Sequence, residues 1–242
     1  MSACLELTDL VKKFGGLVAT SGVSFKVEQG ESIGLIGPNG AGKTTIFSQI
    51  MGELRQTSGK ILLYGRDIRR LSTPARIKRG IGRTYQVPRP FREMNVLENI
   101  RVGLMPDNIW KMVFEGPDRD REEELALSVG LSPGDLLRTP AELSMGDLRK
   151  LEMARTMATE PSIMLLDEVF AGLTKGEISQ IGDLIGELRD DGMTFLIVSH
   201  DLPALEPLVD RCIALDQGRK IAEGPFDEVM RDEAVRASYL GG

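Results

Sequence analysis

A chain of 242 residues, 41% hydrophobic and 27% charged, has the composition of an ordinary globular protein, with enough apolar mass to bury a core without covalent staples. Its net charge of -6, with both signs interspersed, argues against general nucleic-acid binding, which leaves a basic excess. The longest apolar runs, 163–166 and 195–198, are far below the ~20 residues of a membrane-spanning helix.

From the N-terminus, Met1 to Asp9 carries no charged-then-apolar leader, so the chain is expected in the cytoplasm, reaching a membrane only through a partner. Cys4 and Cys212 lie far apart without metal-ligand spacing and are expected as reduced, packed thiols. Ile33, Leu35 and Ile36 form a short strand-like run ending at Gly37, followed by a glycine-rich turn and a helix from Lys43 to about Gly52. Ile61 to Tyr64 predicts a strand, and Gly65-Arg66-Asp67 a turn. From about Val87 to Glu160 the pattern is mostly helical, interrupted at Pro106, Gly116, Pro117, Pro133, Gly134 and Pro140. Within it, the charge run Arg119 to Glu124 predicts a solvated helix face.

The runs 163–167 and 194–198 are continuously apolar up to Asp167 and through Val198, as expected of central parallel strands buried on both faces. Between them Ile178, Ile181, Leu184, Ile185 and Leu188 keep a helical period, and Gly192 stands just past its end. Strand, helix and strand make one βαβ unit. With no internal repeat or low-complexity tract, the chain is expected to be a single α/β domain over 1–242. Its core would be 1–86 and 161–242, with 87–160 as a helical insert.

The sharpest chemical signal is Gly37-Pro38-Asn39-Gly40-Ala41-Gly42-Lys43-Thr44-Thr45, which fits the phosphate-loop pattern between a strand and a helix. Glycines let backbone N–H groups wrap a triphosphate without Cβ obstruction, and the helix N-terminus adds a favourable dipole. Lys43 can reach the β- and γ-phosphates, and the Thr44 hydroxyl can ligate Mg²⁺. Asp167 and Glu168 end a second buried strand, where open α/β sheets place their ligands. Asp167 is suited to a Mg²⁺ water shell and Glu168 to an attacking water. Leu143-Ser144-Met145-Gly146-Asp147 opens a helix. Ser144 is an N-cap with Asp147 completing a pattern like a capping box, and Gly146 is expected to keep backbone N–H groups open for an anion. His200, the single histidine, follows the run 195–198 and can hydrogen-bond a γ-phosphate or the attacking water.

In order, the phosphate loop, Gln86, Leu-Ser-x-Gly-x, Asp167-Glu168 and His200 resemble the nucleotide-binding subunit of ABC transporters over nearly the whole chain. Within that group the chain is similar to the branched-chain (hydrophobic) amino acid importers. The residues carrying this are 13–19, Arg83-Thr84-Tyr85-Gln86, 91–99, 151–155, Ala171-Gly172-Leu173 and Ala237-Ser238-Tyr239-Leu240-Gly241.

The resemblance implies a P-loop NTPase core with a mostly parallel sheet, an antiparallel β part near the N-terminus and a helical insert. It implies that Phe14 stacks on adenine and that Gln86 senses Mg²⁺ and the γ-phosphate. Ser144 and Gly146 would bind ATP held by the opposite subunit, Glu168 would be the catalytic base and His200 a switch. It also implies ATP and Mg²⁺ as cofactors, and a second ATP-binding subunit, paralogous or identical, closing an ATP-sandwich dimer. Transmembrane permease subunits would be met near Gln86 to Asn99 at the cytoplasmic face of the cell membrane. A periplasmic or extracellular solute-binding protein would take part indirectly, and no nucleic acid. Met145, Asp147, Val169 and Thr174 depart from the commonest pattern. Asp147 puts a negative charge near a docking γ-phosphate, which points to weaker closure or slower hydrolysis. The alternatives are lipopolysaccharide export by a similar subunit, a DNA-repair head and a translation factor. The second lacks its long heptad run between Gly42 and Leu143, and the third its second cassette.

Overall fold

The computed structural model describes residues 3–105 and 118–240. Met1, the interruptions expected at Pro106, Gly116 and Pro117, and Gly241 lie outside the described residues.

The chain begins with two long strands, β1 (Ala3–Phe14) and β2 (Leu17–Glu28), joined through Gly15 and paired antiparallel. Leu5, Leu7 and Leu10 of β1 and Val23, Phe25 and Val27 of β2 are buried; their near-alternate spacing gives each strand one core face. β4 (Ser58–Leu63) adds to the other edge of β1, and β5 (Arg66–Asp67) returns on β4, giving the order β2-β1-β4-β5. Arg66 and Asp67 are thus a short strand rather than the predicted turn. The reversal falls one step earlier, at Tyr64 and Gly65, both of which have positive φ.

A second, six-stranded sheet has the order β10-β9-β3-β8-β7-β6. β3 (Ser32–Ile36), β6 (Ile81–Thr84), β7 (Ile163–Asp167), β8 (Thr194–Val198) and β9 (Arg211–Asp216) run parallel; β10 (Arg219–Gly224) closes one edge antiparallel. β3, β7 and β8 are buried at every position, which explains their unbroken apolar sequence. Ile163 and Leu165 join a core with α1 (Lys43–Met51) and the first sheet, while Met164 and Leu166 join one with the helices opposite. The expected antiparallel and parallel β parts are therefore both present. Cys4 and Cys212 are free, buried thiols.

A small helix, α2 (Thr73–Ile77), precedes β6. Helices α3 (Val96–Leu104), α4 (Arg119–Ser128) and α5 (Met145–Met157) pack on one another. Asn95 and Glu98 form a reciprocal capping box at the start of α3, a device worth about 1 kcal/mol. The charge run on α4 is not uniformly solvated. Glu122 is fully buried and holds Arg101 of α3 at 2.5 Å, because a bidentate guanidinium compensates its lost hydration. The predicted βαβ helix is α6 (Lys175–Asp190), ending before Gly192 at φ +91°. Four short helices follow: α7 (Leu202–Leu205), a 3-10 turn at 206–208, α8 (Phe226–Arg231) and α9 (Glu233–Leu240). Among the described residues, no helix is long and apolar enough to cross a membrane.

Candidate active site

β3 delivers the chain into the loop 37–42, and α1 leads away from it. Gly37 has φ +143°, and a Cβ there would lie 2.1 Å from the Leu215 carbonyl oxygen, so only glycine fits. Its N–H donates to the Tyr239 hydroxyl of α9 at 2.9 Å, a contact across 202 residues. Gly42 is the N-cap of α1 at φ 104° with no side-chain cap, so the first-turn N–H groups face the loop unmasked. The Lys43 ammonium donates to the Gly37 and Pro38 carbonyls at 2.6 and 3.0 Å. Burial holds its pKa below the usual value, against the pull of Glu168 and Asp167.

The end of β7 faces this loop. Asp167 is buried, and its Oδ2 accepts from Arg83 Nη2 at 2.7 Å, while its Oδ1 has no hydrogen-bond partner. Glu168, with φ 54°, turns the chain so that its side chain leaves the strand direction. Its Oε1 lies 2.8 Å from His200 Nε2, a contact made possible because β8 pairs directly with β7. Burial raises the Glu168 carboxyl pKa, with His200 and Lys43 opposing.

Lys43, Glu168 and His200 share a cleft of about 720 Å³, lined also by Phe14, Asn39, Gly40, Ala41, Gly42, Thr44, Thr45 and Gln86 among others. Phe14 is 48% exposed at the tip of the β1–β2 hairpin, a large share for an aromatic, with the Lys12 ammonium 4.8 Å above its ring. Gly37, Pro38 and Asp167 do not themselves line the cleft.

Ser144 and Gly146 lie apart from it, at the start of α5. The Ser144 hydroxyl caps the Asp147 N–H at 3.1 Å and donates to the Asp147 carboxylate at 2.8 Å. Gly146 does not keep its N–H open as expected: it donates to Glu177 Oε1 of α6 at 2.9 Å. The other Glu177 oxygen accepts from the N–H and hydroxyl of Thr174, the N-cap of α6, and these donors pull the Glu177 pKa down to about 2. Thr174 is therefore a helix cap here, and Val169 is a fully buried core residue.

Sequence reasoning missed several residues. Arg149 of α5 is 1% exposed and donates to the carbonyls of Tyr85, Gln86 and Glu168, tying two segments that reach the cleft to α5. Leu17, Val18, Ala19 and Gln217 also line the cleft. Gln217 sits in the β9–β10 turn at φ 44°, and no local pattern marks it. A second groove, about 730 Å³, runs beside β6 and α3; Arg83, Tyr85, Arg89, Phe91, Met105 and Arg155 are among its walls.

Comparison with known proteins agrees with this geometry. The ABC transporter family profile matches residues 20–171, and a profile described as branched-chain amino acid ATP-binding cassette transporter matches 219–242. The high-affinity branched-chain amino acid transport ATP-binding protein BraF of Pseudomonas aeruginosa is 35% identical, over 98% of this chain and 97% of its own length. The lipopolysaccharide export system ATP-binding protein LptB of Haemophilus influenzae is 37% identical, over 98% and 97%. Among solved structures, the ADP conformation of MJ1267, an ATP-binding cassette of an ABC transporter, superposes with TM-score 0.88 at 31% identity, covering 100% of both chains. The dimeric post-hydrolysis state of the cassette MJ0796, bound to ADP and Pi, gives 0.79 at 25% identity, covering 92% of this chain and 98% of that one.

Proposed function

The chain belongs to the ABC transporter family as an ATP-binding, ATP-hydrolysing subunit, and on that premise we propose that it energises import of branched-chain or other hydrophobic amino acids. The second profile match, on residues 219–242, is what favours this solute class. Lipopolysaccharide export is the second reading, favoured by the LptB relative. Reconstitution with each class of permease, following uptake of labelled leucine against lipopolysaccharide extraction, decides between them.

In this reading ATP lies in the 720 Å³ cleft with adenine on Phe14 and phosphates in the loop 37–45. Lys43 and the first-turn N–H groups of α1 hold the β- and γ-phosphates. The residues fit a bound Mg²⁺: Asp167, within electrostatic reach of Lys43, has a buried carboxylate oxygen with no partner, and Thr44 and Gln86 line the cleft that Lys43 lines. Mg²⁺ would neutralise phosphate charge there, held by Thr44, Gln86 and Asp167. Glu168 orients a water and takes its proton as the water oxygen bonds to the γ-phosphorus and the bond to ADP breaks. Its burial-raised pKa suits that proton transfer, and His200 steadies its carboxylate.

The observation that carries this is the Glu168–His200 contact at 2.8 Å, facing the loop that holds Lys43. A second subunit, identical or paralogous, supplies Ser144 and Gly146 of its own α5 to close the site; the cassette MJ0796 is likewise dimeric with ADP and Pi bound. Residues 87–160 act as the helical subdomain. A transmembrane permease docks on the groove walled by Tyr85, Arg89 and Phe91, which places the subunit peripherally on the cytoplasmic face of the membrane. A solute-binding protein takes part only through that permease. The test is Glu168→Gln, which is expected to bind ATP, accumulate as a dimer and lose about two to four orders of magnitude in turnover. Normal turnover would remove Glu168 from this role.

A further inference from the structure

Arg83 walls the second groove and pairs with Asp167, a residue of the candidate metal site. It lies on the four-residue strand β6 and is 8% exposed, yet its guanidinium meets three polar side chains. Nη2 donates to Asp167 Oδ2 at 2.7 Å; Nη1 donates to Glu53 Oε2 at 2.7 Å and to Ser48 Oγ at 3.2 Å. Its carbon lies 4.9 Å from the Tyr85 ring centroid and 5.7 Å from that of Phe47. The Tyr85 hydroxyl donates to the other Glu53 oxygen at 2.7 Å, so Glu53 is gripped from both sides. Arg83 and Tyr85 both wall the second groove, while Asp167 lies within electrostatic reach of Lys43 at the phosphate loop.

One cation thus divides its donors between Asp167, within electrostatic reach of Lys43, and Glu53, which Tyr85 ties to the wall of the groove. The Asp167–Arg83 pair is almost dry, with side chains 3% and 4% exposed, where charge interactions are least screened. Arg83 takes Oδ2 and leaves Oδ1 without a partner. A divalent cation arriving at Asp167 competes with Arg83 for the same negative charge, and what Arg83 yields there it can return to Glu53. We infer that Arg83 is a positioning residue that couples metal–nucleotide occupancy at Asp167 to the Glu53–Tyr85 hydrogen bond, and through Tyr85 to the wall of the groove. The inference rests on the metal–nucleotide reading of the cleft given above and adds the residue that reports on it. Coupling of this kind is reciprocal: an occupant of the groove that draws Glu53 or Tyr85 away changes metal affinity at Asp167 by the same factor.

The test is a double-mutant cycle on the purified chain, with Mn²⁺ as the probe and the same ATP concentration on both sides of a dialysis membrane, reading the excess Mn²⁺ retained with the protein. Glu53→Gln leaves Asp167 as the one carboxylate bonded to Arg83 and is expected to weaken Mn²⁺ binding about fivefold, the low end of typical site-to-site coupling. Arg83→Gln frees Asp167 and is expected to strengthen it. In the Arg83→Gln background, Glu53→Gln is expected to change affinity less than about twofold, because the relay is gone. If Arg83→Gln does not fold, Arg83→Lys replaces it, since one ammonium cannot span both carboxylates in the same geometry. Equal effects of Glu53→Gln in both backgrounds overturn the coupling, since a plain change of local charge acts without Arg83. Failure of the unmodified chain to bind Mn²⁺ with ATP overturns the metal–nucleotide reading itself.

Discussion

Two helix starts with similar sequence chemistry have opposite local surroundings. α1 begins at Gly42, which has no side chain to cap it, and the adjacent Lys43 adds positive charge. α5 begins at Ser144, whose hydroxyl is shared with Asp147, and its Gly146 N–H is taken by Glu177 from α6. The first is an open seat for an anion; the second already holds one, a carboxylate pulled down to about 2 by the donors around it. Glycine near a helix start is therefore not enough to make an anion site. What decides it is whether another element brings its own acceptor to the same N–H groups.

The contrast can be broken from either side. The largest effect is expected at the open end. Lys43→Ala should lower ATP affinity about 100-fold by equilibrium binding, with the fold intact, because a preorganised cation is lost. Gly42→Ala strains φ 104° and sets a Cβ 2.6 Å from the Ala19 carbonyl oxygen, so the loop must shift. It should weaken ATP binding about tenfold and lower stability by about 1–3 kcal/mol, read by calorimetry.

At the closed end, Glu177→Gln removes the resident charge. On the proposed dimer, it should raise ATP-dependent dimerisation of a Glu168→Gln background severalfold in sedimentation experiments; unchanged dimerisation would mean that Glu177 does not compete with a docking phosphate. The smallest effect is a pH dependence. The folded Glu177 pKa lies below its unfolded value, so its stabilising contribution is complete above about pH 4.5 and fades as pH falls toward about 2. The difference in melting temperature between the unmodified chain and Glu177→Gln should therefore shrink across that range.

Most of the open end could be read from sequence, because its determinants are contiguous: strand, glycine loop, lysine and helix all fall within 32–51. Asp167, Glu168 and His200 were legible for a related reason, since each ends a run whose unbroken apolarity marks a buried strand. What escaped depends on pairs distant in sequence. Nothing near Gly146 announces Glu177, 31 residues on. Nothing in Arg119 to Glu124 distinguishes Glu122, whose burial is decided by Arg101 on another helix. Arg83 sits in a strand too short to show a period, and its three partners come from α1, the following loop and β7. Charged residues whose positions are fixed by tertiary contacts leave little local trace.

The hydrogen bond from Gly37 to the Tyr239 hydroxyl has a bearing on biosynthesis. A ribosome makes the glycine turn early, yet the acceptor for its first amide is not translated until 202 residues later. Throughout elongation that amide must make do with solvent, and the nucleotide seat attains its native support only once Tyr239 has cleared the exit tunnel. That last acceptor is synthesised after every strand of both sheets, so the bracing of the loop is the final contact the chain can supply to its nucleotide seat.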